Sequence, residues 1–277
     1  MESEFSVFAI VDDIGRRVLM RLHYTIQLLR MTYISFRTAF LNPMQGFRST
    51  LSVVSAQVYF TGYQALPLIS GLAVASSAMV VLQSSSQFNL LGGGSTVGRL
   101  MVILVVRELA PLLTALIVIA RSGTAVASEI GNMRVNREIE ALEVMGINPM
   151  SYIVFPRLLG GIISVVCLSL YFLYVANISG YIFSKIFLNM PLNFYIDAVM
   201  QVLSGEDVLL FACKNLMGGA IIFTICCYQG MQVKQGPQEV PQATTAGVVN
   251  SIIYVVGFNL IVTTLFYMSQ LLKMGFI

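Results

Sequence analysis

Charge is scarce in this 277-residue chain: 10% of residues are Asp, Glu, Lys or Arg, 57% are apolar, and the mean hydropathy is +0.81. A soluble domain carries roughly a quarter charged residues, so water is not the main solvent of this chain. Histidine is represented by His23 alone, in an Arg-rich stretch without a second ligand candidate, which points to a surface or headgroup contact and not to a metal. The four cysteines, Cys167, Cys213, Cys226 and Cys227, lie in apolar runs without C-x-x-C spacing. They read as small packing residues, not as a zinc site or a disulfide framework. No GxxxxGK followed by Ser or Thr occurs, so the chain is not expected to hydrolyse ATP; neither cofactor nor metal is expected on it. The net charge of +3 does not suggest nucleic acid. Asp12, Asp13, Arg16, Arg17 and Arg21 interrupt the first 30 residues, and no cleavable signal peptide is expected.

What the chain does have is apolar runs near the roughly 20 residues that a helix needs to cross a hydrocarbon core of about 30 Å. Five spans are expected, at about 66–85, 100–120, 158–178, 208–228 and 248–272. Before them, Val18, Leu19, Leu22, Ile26 and Leu29 recur at helical spacing opposite Arg16, Arg17, Arg21, Arg30, Arg37 and Arg48. Residues 1–50 therefore read as an amphipathic helix lying in the membrane interface, followed after Pro43 by an amphipathic segment leading into the first span. A loop with Gly92, Gly93 and Gly94 separates spans one and two; without a following Lys-Ser/Thr it reads as a flexible connection. With the N-terminus cytoplasmic, inside segments carry eleven Lys/Arg and outside segments three, Arg99, Lys185 and Lys273. The bias fixes the expected orientation, and five spans place the C-terminus on the periplasmic side. The fold class is thus all-α, polytopic and multi-pass.

Arg107, Glu108 and Lys214 fall within spans, where an unpaired charge costs several kcal/mol. Counting at 1.5 Å per residue puts Glu108 and Lys214 each roughly 9–12 Å below the outer boundary, so they can meet. Two readings stay open: a pair that fastens span two to span four, or groups lining a wet cavity. Asn259 in span five either joins the same cluster or makes a plain interhelical contact. Gly160-Gly161 and Gly218-Gly219 read as small-residue packing surfaces, and Pro67 and Pro111 as bends in spans one and two.

By the second span a longer pattern is present: Arg107-Glu108-Leu109-Ala110-Pro111, Ala120-Arg121-Ser122-Gly123, Glu129-Ile130-Gly131-Asn132-Met133-Arg134, the run from Glu138 to Pro149, and Pro156-Arg157. A second block is Ala243-Thr244-Thr245 with Val248-Val249 and Ser251. Over roughly residues 50–272 the chain resembles the MlaE/YrbE permeases, the membrane subunits of ABC-type lipid transporters that act with the outer-membrane lipid asymmetry machinery. The resemblance implies a homodimer in the bacterial inner membrane, a separate ABC ATPase subunit carrying ATP and Mg, an MCE-domain periplasmic protein, a STAS-domain subunit as a further partner, and phospholipid as the solute.

It further implies a substrate cavity near Arg107, Glu108, Lys214 and Asn259, walled by Leu72, Met79 and Leu82 of span one. A cytoplasmic coupling helix at about 129–148 would meet the ATPase through Glu129, Met133, Arg134, Glu138, Ile139, Glu140, Leu142 and Glu143. The apolar residues Ile130, Met133, Ile139, Leu142 and Met145 on that stretch suit a partner groove. Two departures from the family pattern stand out: Asn259 replaces a frequent Asp, and Gly236-Pro237-Gln238-Glu239-Val240-Pro241-Gln242 replaces a Gly-rich stretch ending in Arg. A stand-alone secondary carrier and an intramembrane lipid enzyme are the alternatives; the first usually shows inverted repeats, and the second needs a base or metal cluster beside Glu108.

Overall fold

The protein is described here by a computed structural model covering residues 2–41, 47–87, 95–234 and 236–273. The expected break at Pro43 and the Gly92–Gly94 loop lie outside these residues. In hydrocarbon every backbone N–H and C=O must be satisfied within the segment, which leaves the helix as the state for an apolar run of this length. Among the described residues there is no strand, and five helices are long and apolar enough to cross a membrane: Leu51–Ser84, Val97–Val135, Met150–Leu188, Gly205–Met231 and Glu239–Lys273. The count matches the expectation, but the helices run well past the expected ends. Hydropathy marks the stretch that fits hydrocarbon, whereas helices continue while their backbone bonds and packing allow.

The first helix, α1 (Glu2–Leu41), is continuous, and α2 (Phe47–Thr61) passes through one tight 3₁₀ turn at Tyr63–Ala65 into α3 (Leu66–Gln87). Pro67 is the second residue of α3, where its missing N–H is tolerated. Span two is a composite: α4 (Ser95–Leu100), a π-helical stretch Met101–Leu109, α5 (Ala110–Val118), a π-helical turn Ile119–Gly123 and α6 (Thr124–Val135). Pro111 stands in the first turn of α5, directly after the longer π stretch. Arg137 then adopts a left-handed conformation (φ 57°) and starts α7 (Glu138–Val144). After a π-helical turn at Met150–Val154 come α8 (Phe155–Leu188), α9 (Leu192–Met200), α10 (Gly205–Met231) and α11 (Glu239–Lys273). The short α9 fills a stretch where the sequence suggests no element; it packs against α4, with Ala198 directly over Gly98.

Small residues set the closeness of the seams. A Cβ on Gly160 would stand 2.9 Å from Gln57 Cβ, so α2 lies against α8 there. Gly161 is covered by the Phe223 ring, and a Cβ on Gly219 would be 3.1 Å from Ile162 Cα, which joins α8 to α10. Gly218 differs: nothing lies within 4 Å of its Cβ direction, so half of the expected Gly218-Gly219 surface is unused within one chain. The buried hydroxyls Ser77 and Ser179 bond each other at 2.7 Å across α3 and α8. Cys226 and Cys227 are buried among apolar neighbours, while Cys167 and Cys213 are exposed on the apolar exterior. On α1, Leu28, Met31 and Ser35 face the bundle, and Leu19, Leu22, Ile26 and Leu29 face outward. His23 bonds Gln27 on the same helix at 2.8 Å.

Candidate functional site

The deepest chemistry of the bundle is two linked ion pairs on spans two, four and five. Lys214, on α10, is 1% exposed. Its Nζ donates to the Arg107 carbonyl at 2.7 Å, to Thr263 Oγ1 at 2.8 Å and to both Glu108 oxygens at 3.1 Å, which uses all three ammonium donors. Thr263, on α11, accepts from Lys214 and donates onward to Glu108 Oε1 at 3.0 Å. The Glu108 carboxylate is the open member, with a side chain 35% exposed.

Arg107 turns the other way. Its Nε lies 2.8 Å from Asp207 Oδ1, an ion pair not aligned as a hydrogen bond, and Nη2 donates to Oδ2 at 3.4 Å. The guanidinium also lies over the rings of Phe266 and Tyr267 at 5.2 and 5.9 Å, a cation–π arrangement. Asp207 is fully buried and completes a capping box with Ser204, accepting from Ser204 N at 2.9 Å and Ser204 Oγ at 3.0 Å. One carboxylate thus starts α10 and neutralises Arg107. Two cations and two anions balance, which is what lets them persist in a span.

The local backbone explains the divergence of consecutive side chains. Arg107 and Glu108 end the π-helical stretch, and the Ala110 N–H reaches back five residues to the Val105 carbonyl. Such wide turns are frequent where a helix must re-aim side chains. Asp207 and Lys214 are seven residues apart, two turns of α10, and so share one face.

The expected cluster is therefore assembled in part. Glu108 and Lys214 meet, but Arg107 is claimed by Asp207, which sequence reading did not single out. Asn259 does not join: its Nδ2 bonds the Val255 carbonyl of its own helix at 3.0 Å, and Thr263, one turn on, provides the α11 contact. Leu72, Met79 and Leu82 are exposed along α3, on the outer surface of the single chain.

The stretch 129–148 is not one helix. Glu129, Met133 and Arg134 belong to α6, a direct continuation of span two, while Glu138–Val144 form the separate α7. Glu129 Oε1 accepts from Arg157 Nη2 at 2.7 Å, tying α6 to the start of α8. Ile130 and Ile139 are fully buried, and Met133 and Leu142 pack against the core, so the apolar face expected for a partner groove is mostly turned into the protein itself. Seven residues make too short a helix to stand alone, and that inward face is what holds α7. What α7 presents outward is Glu138, Glu140, Glu143, Val144 and Met145, with Val144 89% exposed. Arg121, at the second π-helical turn, donates to the Phe60 carbonyl at 2.9 Å and to Gln64 Oε1 at 2.6 Å. It pins span two to the break between α2 and α3.

A family model described as Permease MlaE matches residues 54–265, which reach into all five spans and include both ion pairs of the network. The chain belongs to the MlaE permease family. Among its relatives, a probable ABC transporter permease protein of Rickettsia bellii is 31% identical over 93% of this chain and 98% of its own. A probable ABC transporter permease protein of Synechocystis is 28% identical, covering 85% of this chain and 87% of its own. The chloroplastic protein TRIGALACTOSYLDIACYLGLYCEROL 1 of Arabidopsis thaliana is 27% identical over 67% of this chain and 53% of its own. This MlaE-family chain is a multi-pass permease subunit of an ABC transporter, a transport component that works with an ATPase subunit.

Proposed function

We propose that this permease moves phospholipid between the bacterial inner membrane and an MCE-domain periplasmic partner. It acts as a homodimer, with the N-terminus and α7 on the cytoplasmic side and ATP and Mg on the separate ATPase. The observation that carries the reading is the charge-balanced network of Arg107, Asp207, Glu108, Lys214 and Thr263 inside the spans, with the Glu108 carboxylate open. A network serving only to fasten helices has no need of an exposed carboxylate at that depth, whereas a lipid headgroup does need a polar contact there. The apolar residues Leu72, Met79 and Leu82 suit the acyl chains, and Asn259 on the neighbouring α11 is a polar candidate for the same cavity. The Arabidopsis relative bears a galactolipid in its name, in keeping with a lipid solute.

Energy reaches the spans through α6 and α7. The exposed Glu138, Glu140 and Glu143 with Val144 and Met145 form the docking surface for the ATPase. Glu129, Met133, Arg134, Ile139 and Leu142 fix the position of that surface from behind. A STAS-domain subunit is a further partner of the assembly.

The test is lipid transfer from vesicles holding the complete permease–ATPase complex with Glu108→Gln, and with Glu108→Lys as the stronger change. Both are expected to keep the assembled complex and to lose most transfer and most co-purifying phospholipid. Wild-type transfer by a correctly assembled Glu108→Lys complex would refute the role of the cluster.

A further inference from the structure

A cavity of about 550 Å³ lies between α1, α10 and α11, away from the charged network. Its α1 wall is formed by Arg21, Thr25, Leu28, Leu29 and Thr32, one stripe along the helix. The other walls, running from Ile225 to Met217 on α10 and from Ile253 to Ile261 on α11, are apolar apart from Thr224 and Tyr254.

Its hydroxyls make no demand on an occupant. Thr25 Oγ1 donates to the Arg21 carbonyl at 2.8 Å and bonds Tyr254 Oη at 2.9 Å. Thr32 Oγ1 donates to the Leu28 carbonyl and bonds Thr224 Oγ1 at 3.1 Å. A cavity whose polar atoms are already satisfied favours an apolar guest, and its volume lies within the roughly 300–1,000 Å³ of ligand sites.

Arg21 gives the guest a head. It is exposed at one end of the stripe, has no side-chain partner among the described residues, and can offer a planar fork. The level is also right. Gln229 Nε2 donates to Tyr24 Oη at 3.0 Å and Tyr228 bonds Gln27, so α1 crosses α10 close to its end at Met231. Along α10 the cavity wall runs from Ile225 to Met217, about 12 Å at 1.5 Å per residue, which fits within the roughly 15 Å of one leaflet's acyl layer.

We propose that this cavity is a second lipid site: it binds one acyl chain of a phospholipid from the leaflet along which α1 lies, and Arg21 holds the lipid phosphate. The bound lipid ties α1 to α10 and α11. The site is separate from the network at Glu108 and Lys214 and does not depend on which solute the transporter moves.

Gly257 lines the cavity, and a Cβ built on it meets nothing within 4 Å, so Gly257→Phe fills the space without displacing backbone. The experiment places the full-length chain in vesicles of phosphatidylethanolamine and phosphatidylglycerol doped with phosphatidylglycerol bearing a diazirine in one acyl chain. Labelled residues are mapped by mass spectrometry. Labels are expected on Met217, Ile253 and Phe258; Gly257→Phe, and the smaller Gly257→Leu, remove them and leave labels on the exposed Leu260 and Leu265 unchanged. Arg21→Gln is expected to lower cavity labelling by the phospholipid roughly fivefold, the effect of one surface arginine on an anionic lipid. Labelling by a diazirine diacylglycerol, which has no phosphate, should not change with Arg21→Gln.

Cavity labelling that is unaffected by Gly257→Phe in a monodisperse protein overturns the site. Equal labelling by phospholipid before and after Arg21→Gln overturns the phosphate assignment. Efficient disulfide formation between two copies carrying Ile253→Cys would show that a second chain fills the cavity, and would overturn the lipid. The readout is occupancy and not transport, so it stands or fails apart from the transfer assay.

Discussion

Asp207→Asn is the most informative single change in the structure. It removes one charge from a pair in which Asp207 is fully buried and Arg107 is 7% exposed. Breaking a buried pair from one side strands the remaining charge and costs about 3–5 kcal/mol. Phe266 and Tyr267 remain over the guanidinium and offset part of this, about 1 kcal/mol. The capping role adds a smaller loss, since Asn can still accept from Ser204, and a cap contributes about 1 kcal/mol at most here. The net expectation is a loss of about 2–5 kcal/mol.

The opposite change, Arg107→Gln, strands the buried Asp207 carboxylate and is likewise destabilising. Combining the two changes should restore about 2 kcal/mol relative to Asp207→Asn alone, a coupling typical of groups in direct contact. The chain has no tryptophan, so unfolding is followed by size-exclusion of a fluorescent-protein fusion across an SDS titration in mild detergent. Ser204→Ala is the control for the cap. A double variant no more stable than Asp207→Asn would show that the pair is not the source of the effect, and the account of the network would be wrong.

Gly161→Leu drives a side chain into the Phe223 ring and should cost several kcal/mol in the same titration, whereas Gly218→Ala meets open space and should be neutral or gain up to about 1 kcal/mol from helix propensity. Val144→Asp with Met145→Asp should leave the unfolding midpoint within about 0.5 kcal/mol, as exposed substitutions do, and should abolish co-purification of the ATPase; retained assembly would remove α7 from the docking surface. Burial raises the Tyr24 phenol on α1 from 10.0 to about 12, so the folded state holds its proton more tightly than the unfolded chain. Stability is therefore expected to be level up to about pH 10 and to fall between pH 10 and 12, with Tyr24→Phe reducing the fall; a decline beginning near pH 8 in wild type but absent in Tyr24→Phe would contradict the shift.

Periodicity and length made the five spans and the separate N-terminal helix legible, because an apolar run long enough to cross a bilayer and a helical apolar spacing can both be counted in the sequence. Helix ends were not legible, since α8 continues to Leu188, well beyond the hydrocarbon-matched 158–178. The pairing of Glu108 with Lys214 could be found by counting depth along two helices. Asp207 escaped because it lies one residue outside the expected fourth span and reads as an ordinary capping acid. Thr263 escaped because a hydroxyl in an apolar run leaves no signal. Asn259 was legible as polar but not in its partner, since a side-chain amide can bond the carbonyl four residues back as readily as a neighbouring helix. Ile130, Met133, Ile139 and Leu142 were legible as apolar contacts, but sequence cannot say whether they meet a partner or the chain's own core, and Met145, read with them, is exposed.

The same contacts also determine which parts of the bundle can move against each other. Separating α10 from span two would break the Lys214 bonds to Arg107 and Glu108 together with the Arg107–Asp207 pair, each in a setting where a stranded charge costs several kcal/mol. Separating α11 would uncover Thr263 and remove the rings over Arg107. Span two, α10 and α11 are thus joined as one body near the charged network, and α6 continues span two to Val135, where the turn at Asn136 and Arg137 leads into α7. The seam between α3 and α8 includes the Ser77–Ser179 pair and apolar packing, and the seam beside α1 contains a cavity. Sliding at α1 or between α3 and α8 breaks none of the ion pairs described above, so a rearrangement driven from α7 can be taken up at these seams with the network intact.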